Sequence, residues 1–268
     1  MHGGLWLPLV LPLTHKYRFV LPDLRGFGRS HHVPYAHSDV VMNHARDVQD
    51  LLAHLGEDRV LLAGLSMGAL TALALASLGG FGKVAGYVHI DQAARIHNEG
   101  AYTHGLFGKD QPARFAELRG LLEEAEPLRA LPFDALPRTF RDRIRSAFVV
   151  FLRSAFRPSW LKRAMSSVER ERVARMAFPQ ANWPVYMDCL KAYLDERYDF
   201  SGALTDTRIP VTVMVGDASE MYPAQGQIEL ARSIPGATLV RFANVGHAIP
   251  FEAPLGFVRA LGRALDSM

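Results

Sequence analysis

The stretch Val60-Leu-Leu-Ala-Gly-Leu-Ser-Met-Gly-Ala-Leu70 constrains this chain more than any other. A short, uniformly apolar run ends in Gly64-Leu-Ser-Met-Gly68. A helix-forming run, residues 69–78, follows and stops at Gly79-Gly80. An apolar run with no polar alternation reads as a strand buried on both faces, the kind found in parallel sheets. A serine between glycines at a strand-to-helix turn implies a strained backbone with neighbouring chain close by, which the glycines make room for. Such a turn lifts the Ser66 hydroxyl above the sheet edge. The helix N-terminus behind it favours developing negative charge. Ser66 is therefore the candidate nucleophile.

The rest of the chain keeps the alternation. Residues 17–21 form a β-type run ending at Pro22-Asp23. Residues 40–55 have helical spacing, with Val41, Ala45, Val48, Leu51, Leu52 and Leu55 on one side, and Gly56 ends them. Residues 84–90 read as a strand. From 112 to 198 the periodicity is helical and broken by prolines. Strands over 211–215 and 238–242 flank a helix over 224–233, and an amphipathic helix over 251–265 closes the pattern. Strand–helix alternation predicts an α/β fold, a mostly parallel, doubly wound sheet with helices on both faces. The helical block before the last two strands then becomes a cap over the strand ends, where such sheets bind ligands. Residues 1–95 and 200–268 would form the core, and 96–199 the cap.

Composition bounds the function. A net charge of +3 gives no case for nucleic acid as a partner. The basic stretch 138–175 carries eleven Lys/Arg against three acidic residues and reads as a solvated helical face. The single cysteine, Cys189, permits neither an internal disulfide nor a multi-cysteine metal cluster. It reads as a packing residue in a cytoplasmic protein. The apolar run Leu5-Trp-Leu-Pro-Leu-Val-Leu-Pro-Leu13 has no basic flank and contains two prolines, unlike a signal peptide. No run approaches the ~20 residues of a membrane span. His31, His32 and His37 read as a polar loop, since carboxylates at ligand spacing are missing, so no metal or cofactor is expected.

A serine hydroxyl needs a base. His247, in Asn244-Val-Gly-His-Ala-Ile-Pro-Phe-Glu-Ala-Pro254, lies in a loop just after the last strand, where an imidazole can reach across the strand ends. Three segments, Pro22-Asp-Leu-Arg-Gly-Phe-Gly-Arg-Ser30, Gly64-Leu-Ser-Met-Gly68 and Gly246-His247 with Glu252-Ala-Pro254, together make the chain resemble an α/β-hydrolase. The resemblance implies a Ser–His hydrolase with the Met67 backbone N–H in the oxyanion hole. The implied substrate is a small hydrophobic ester or lactone, cleaved through an acyl-enzyme, and a homodimer is left open. A serine at residue 66 speaks against relatives with aspartate there, the epoxide hydrolases and haloalkane dehalogenases. C–C bond hydrolases, amidases and perhydrolases stay open, as does a non-catalytic ligand-binding member. The aromatic and methionine residues of the cap (among them Phe148, Phe151, Trp160, Trp183 and Met187) read mainly as packing, with some lining the acyl pocket.

The resemblance leaves the acid open. The usual position follows the strand before the histidine strand, and here it falls on Ser219, in Gly216-Asp-Ala-Ser-Glu-Met-Tyr-Pro223. Asp217 and Glu220 are each out of register. Some relatives carry the acid one strand earlier, and Asp91, after residues 84–90, matches that arrangement. Asp91 is the preferred acid, with Asp217 and Glu220 as alternatives. The second oxyanion donor is normally marked His-Gly, and His2-Gly3-Gly4 suggests it. The interval from Trp6 to Asp23, however, places the relatives' His-Gly ahead of Met1. The expectation is therefore a late start, with N-terminal strands missing and residues 17–21 and 59–63 short of a neighbour.

Overall fold

Four strands make one parallel sheet whose spatial order follows the chain: β1 (Val60–Leu65), β2 (Val84–Ile90), β3 (Val211–Gly216) and β4 (Thr238–Phe242). These elements come from a computed structural model that describes residues 2–36, 39–157 and 182–268. The helices are α1 (Leu7–Val10), α2 (Val40–Leu55), α3 (Met67–Ser77), α4 (Gln111–Ala125), α5 (Arg138–Ala155), α6 (Trp183–Asp195), α7 (Ala224–Ser233), α8 (Ile249–Glu252) and α9 (Pro254–Asp266).

Alternation along the strands sends successive side chains to opposite faces. Val88, Ile90 and Met214 pack against Phe257, Ala260 and Leu261 of α9, with Leu9 of α1 beside them. Tyr87, Val211, Val213 and Val215 pack against Ala72 and Leu73 of α3 and Leu230 and Ala231 of α7. The sheet is thus covered on both faces, as its apolar strands require. Helix α2 begins at Asp39, whose side chain accepts from Met42 N at 3.0 Å, and ends where Gly56 turns left-handed at φ 69°.

Helices α4, α5 and α6 lie between β2 and β3 in the chain. They share a core of Leu121, Phe133, Phe140, Ile144, Trp183 and Met187. Helix α6 also rests on α2.

Two expectations change. Residues 17–21 join no ladder. A strand exists only through a neighbour's N–H and C=O groups, and the outer edge of β1 has no strand beside it among the described residues. The alternation survives as packing: Tyr17 and Phe19 lean on the α9 side of the core while Arg18 and Val20 are exposed. The closing helix over 251–265 is really two, because Pro254 cannot donate to the preceding turn and instead starts α9. No helix among the described residues is long and apolar enough to cross a membrane.

Candidate active site

The strand register brings the site together. Leu65 lies opposite Ile90, and Ile90 opposite Met214, so β1, β2 and β3 end at one level. The next residue after β1 is Ser66, and the next after β2 is Asp91.

Ser66 has φ 53° and ψ −124°, a conformation costly for any residue with a Cβ. Its N–H donates to Ile90 O at 3.0 Å, and its carbonyl accepts from Ala69 and Leu70 N–H as α3 begins. Gly64 is required by space, since a Cβ there would lie 2.5 Å from Gly68 O. Gly68 is different: a Cβ there would meet nothing within 4 Å, so the expectation that both glycines are sterically needed holds for Gly64 alone. The N–H of Met67, at the first position of α3, has no partner within the helix. Ser66 is half-buried, and its hydroxyl makes no hydrogen bond among the described residues. Such bonds are often long or misaligned before substrate binds.

Asp91 is fully buried, with φ 42°. Four donors fill its carboxylate. Gly216 N–H (2.7 Å) and Gln227 Nε2 (3.2 Å) bond Oδ1, while Ser219 Oγ (2.8 Å) and His247 Nδ1 (2.8 Å) bond Oδ2. The last bond places the imidazole proton on Nδ1 and leaves Nε2 with a lone pair, the form a general base needs. His247 is 5% exposed. Its loop is pressed onto the end of β3, where a Cβ on Gly216 would lie 2.2 Å from Gly246 O. The same loop is tied to α5 by Ala248 N–H to Ala155 O at 3.0 Å, and Gly246 N–H donates to Glu252 at 3.1 Å. Tyr222 sets its ring 5.9 Å from the imidazole; burial pushes its phenol above the usual range.

Of the three carboxylates weighed as acid, Asp91 meets the imidazole. Asp217 instead accepts from Arg241 Nε at 2.8 Å, and Glu220 is exposed. Beneath Asp91 the buried His89 bonds Gln92 O (2.7 Å) and Tyr87 OH (2.9 Å). The carbonyl contact requires the proton on Nε2, so Nδ1 accepts from the phenol. Burial holds His89 neutral, pushing its pKa down to about 4.

The tempting N-terminal donors are engaged elsewhere. Gly3 N–H donates to Asp23 Oδ1, and Gly4 N–H to His2 Nδ1 at 2.9 Å. Cys189 lies 3.7 Å from Tyr35 OH, and burial pushes its thiol up to about 12. Trp183 is core, edge-on to Phe140 with its indole N–H on Leu131 O. His31 bonds Gly28 O and meets His32 edge-on; His37 and Trp160 lie outside the described residues. Among the described residues no group of three or more His, Cys, Asp or Glu could hold a metal ion. Sequence reasoning missed Gln227 altogether, and it placed Ser219 at the usual acid register without seeing it as a donor. That register was the available signal.

A family model described as "Alpha/beta hydrolase family" matches residues 1–260. The chain is similar to a thermophilic esterase from Thermogutta terrifontis (TM-score 0.73, 23% identity, 100% of this chain and 86% of that one). It is also similar to the enol-lactonase from Burkholderia xenovorans (TM-score 0.71, 20% identity, 99% and 87%). A 3-oxoadipate enol-lactonase of Acinetobacter baylyi is 39% identical over 70 residues, a stretch that spans 26% of this chain and only 25% of that protein.

Proposed function

The chain belongs to the alpha/beta hydrolase family, and from that premise we propose that it is a serine hydrolase of small hydrophobic carboxylic esters or lactones. The observation that carries the reading is the buried 2.8 Å bond between His247 Nδ1 and Asp91, formed at the strand ends beside Ser66. His247 Nε2 takes the hydroxyl proton as Ser66 Oγ attacks the carbonyl carbon. The oxyanion forms against the Met67 N–H and the N-terminal dipole of α3. The tetrahedral intermediate collapses, and His247 returns the proton to the leaving alkoxide oxygen. Water, deprotonated by the same imidazole, then releases the acid from Ser66. Asp91 orients the ring and stabilises the imidazolium without taking its proton. The esterase and enol-lactonase named among the similar proteins support an ester bond as the target. Helices α4 to α6, with their own small core, act as the cap that selects the acyl group. A reducing cytoplasm suits a chain with one half-buried thiol.

The test is burst hydrolysis of p-nitrophenyl acetate together with labelling of Ser66 by a fluorophosphonate. Both are expected in the wild type and lost in Ser66→Ala; a folded wild type that shows neither sinks the proposal. Absence of labelling would favour a second reading, a non-catalytic binding protein. That reading draws on one observation: the N–H groups of Gly3 and Gly4 are already bonded and offer no second oxyanion donor. A screen of amides, C–C cleavage substrates and peroxide acceptors separates the remaining chemistries of the same nucleophile.

A further inference from the structure

Asp91 Oδ2 serves two donors at once, the imidazole of His247 and the hydroxyl of Ser219, each at 2.8 Å. The direction of the Ser219 bond is fixed by its other contact. Tyr222 N–H donates to Ser219 Oγ at 3.3 Å, so a lone pair is occupied and the hydroxyl proton points to the carboxylate. Ser219 itself is pinned by a turn, its N–H on Gly216 O at 3.1 Å. The other carboxylate oxygen is held by Gly216 N–H and by Gln227, a fully buried amide whose Oε1 has no partner among the described residues. An orphaned buried acceptor costs free energy. Gln227 sustains that cost while aiming its N–H at Asp91 and Tyr222 O.

We propose that Ser219 is a positioning residue that sets the basicity of His247, by donating to the carboxylate oxygen that faces the imidazole. The inference rests on the Ser66–His247–Asp91 reading given above. A hydroxyl dipole with its positive end on Oδ2 reduces the negative potential that Asp91 presents to the ring. The imidazolium is then less favoured than it would be beside a carboxylate without that hydroxyl. The usual acid position is thereby converted from a charge into a dipole that moderates the charge on the neighbouring strand. Among the described residues, Tyr222 after β3 faces the imidazole, while Glu252 on α8 and Arg157 beyond α5 lie against the neighbouring Gly246; Ser66 stands at the end of β1. Among the described residues none of these side chains bonds Asp91, whose carboxylate partners are Gly216, Ser219, Gln227 and His247.

The experiment compares wild type, Ser219→Ala and Ser219→Thr by two readouts. One is the protonation midpoint of His247 in the resting protein, followed by imidazole NMR and assigned with His247→Gln. The other is the acid limb of kcat/KM for p-nitrophenyl acetate. Ser219→Ala is expected to move both upward by about half to one pH unit, with Ser219→Thr restoring the wild-type midpoint. Should Ser219→Ala fail to fold, Ser219→Cys, with its weaker donor, is expected to give a smaller upward shift. An unmoved midpoint in Ser219→Ala or Ser219→Cys, or an equal shift in Ser219→Thr, overturns the inference. A shifted NMR midpoint in a protein that turns over no ester upholds the role of Ser219 and instead removes the hydrolase reading.

Discussion

Ser66 and Asp91 leave neighbouring strands at the same level, and both do so at positive φ, 53° and 42°. Ser66 N–H bonds Ile90 O, and Asp91 N–H bonds Met214 O, so each is tied to the strand next to it as it turns out of the sheet. A residue with a Cβ loses on the order of 1–3 kcal/mol in such a sparsely populated conformation. That two adjacent strand ends both sustain it fits a site whose side chains must be placed and not merely tolerated.

Ser66→Gly is therefore expected to stabilise the fold by about 1 kcal/mol, as glycine adopts this backbone freely. Ester turnover should be abolished in the same variant. Thermal unfolding followed by circular dichroism should show a melting temperature a few degrees higher; a lower one would mean that the elbow is unstrained.

Asp91→Asn and Asp217→Asn should separate cleanly. The first removes the charge under His247 and disturbs its tautomer, with an expected loss of about 10³–10⁴ in kcat. The second removes a surface pair with Arg241, worth up to about 1 kcal/mol, and should leave turnover near wild type. Steady-state kinetics on one ester decides it, and equal losses would overturn the assignment of Asp91.

Stability should fall as the solution is acidified from pH 6.5 to 4. Burial pushes His44 and His89 down to about 4 from 6.5. In that window the unfolded chain binds protons that the folded one excludes, so their contribution is complete above pH 6.5 and is lost toward pH 4. Each shift corresponds to on the order of 3 kcal/mol. Urea midpoints measured across this range should decline, and His89→Gln should flatten the decline; a flat wild-type profile would contradict it.

Cys189 should be silent in the native state. Its half-buried thiol lies beside Tyr35, and desolvation pushes it up to about 12. Ellman's reagent at pH 8 is expected to titrate no thiol in the folded protein and one in urea. Fast native labelling would show that α6 opens readily from α2.

Much of the fold could be read along the chain. The helix over 40–55, the strands over 84–90 and 238–242 and the helix over 224–233 coincide with α2, β2, β4 and α7. In each, local periodicity and a stop signal agree with the tertiary environment. The strand expected over 17–21 did not form, because alternation describes which side chains are buried and says nothing of whether a neighbour is there to complete a ladder.

Local pattern along the chain was enough for the strand–turn–helix around Ser66, the loop that carries His247 and the helices on both faces of a parallel sheet. These depend on residues close together in the chain. Which carboxylate meets the imidazole, and what Ser219 and Gln227 bond, follows from contacts between distant segments. Asp91 and His247 are 156 residues apart, and Asp91 and Ser219 are 128 apart. A hydrogen bond depends on tenths of an ångström set by strand register and by the Gly216–Gly246 approach, and no local pattern encodes those.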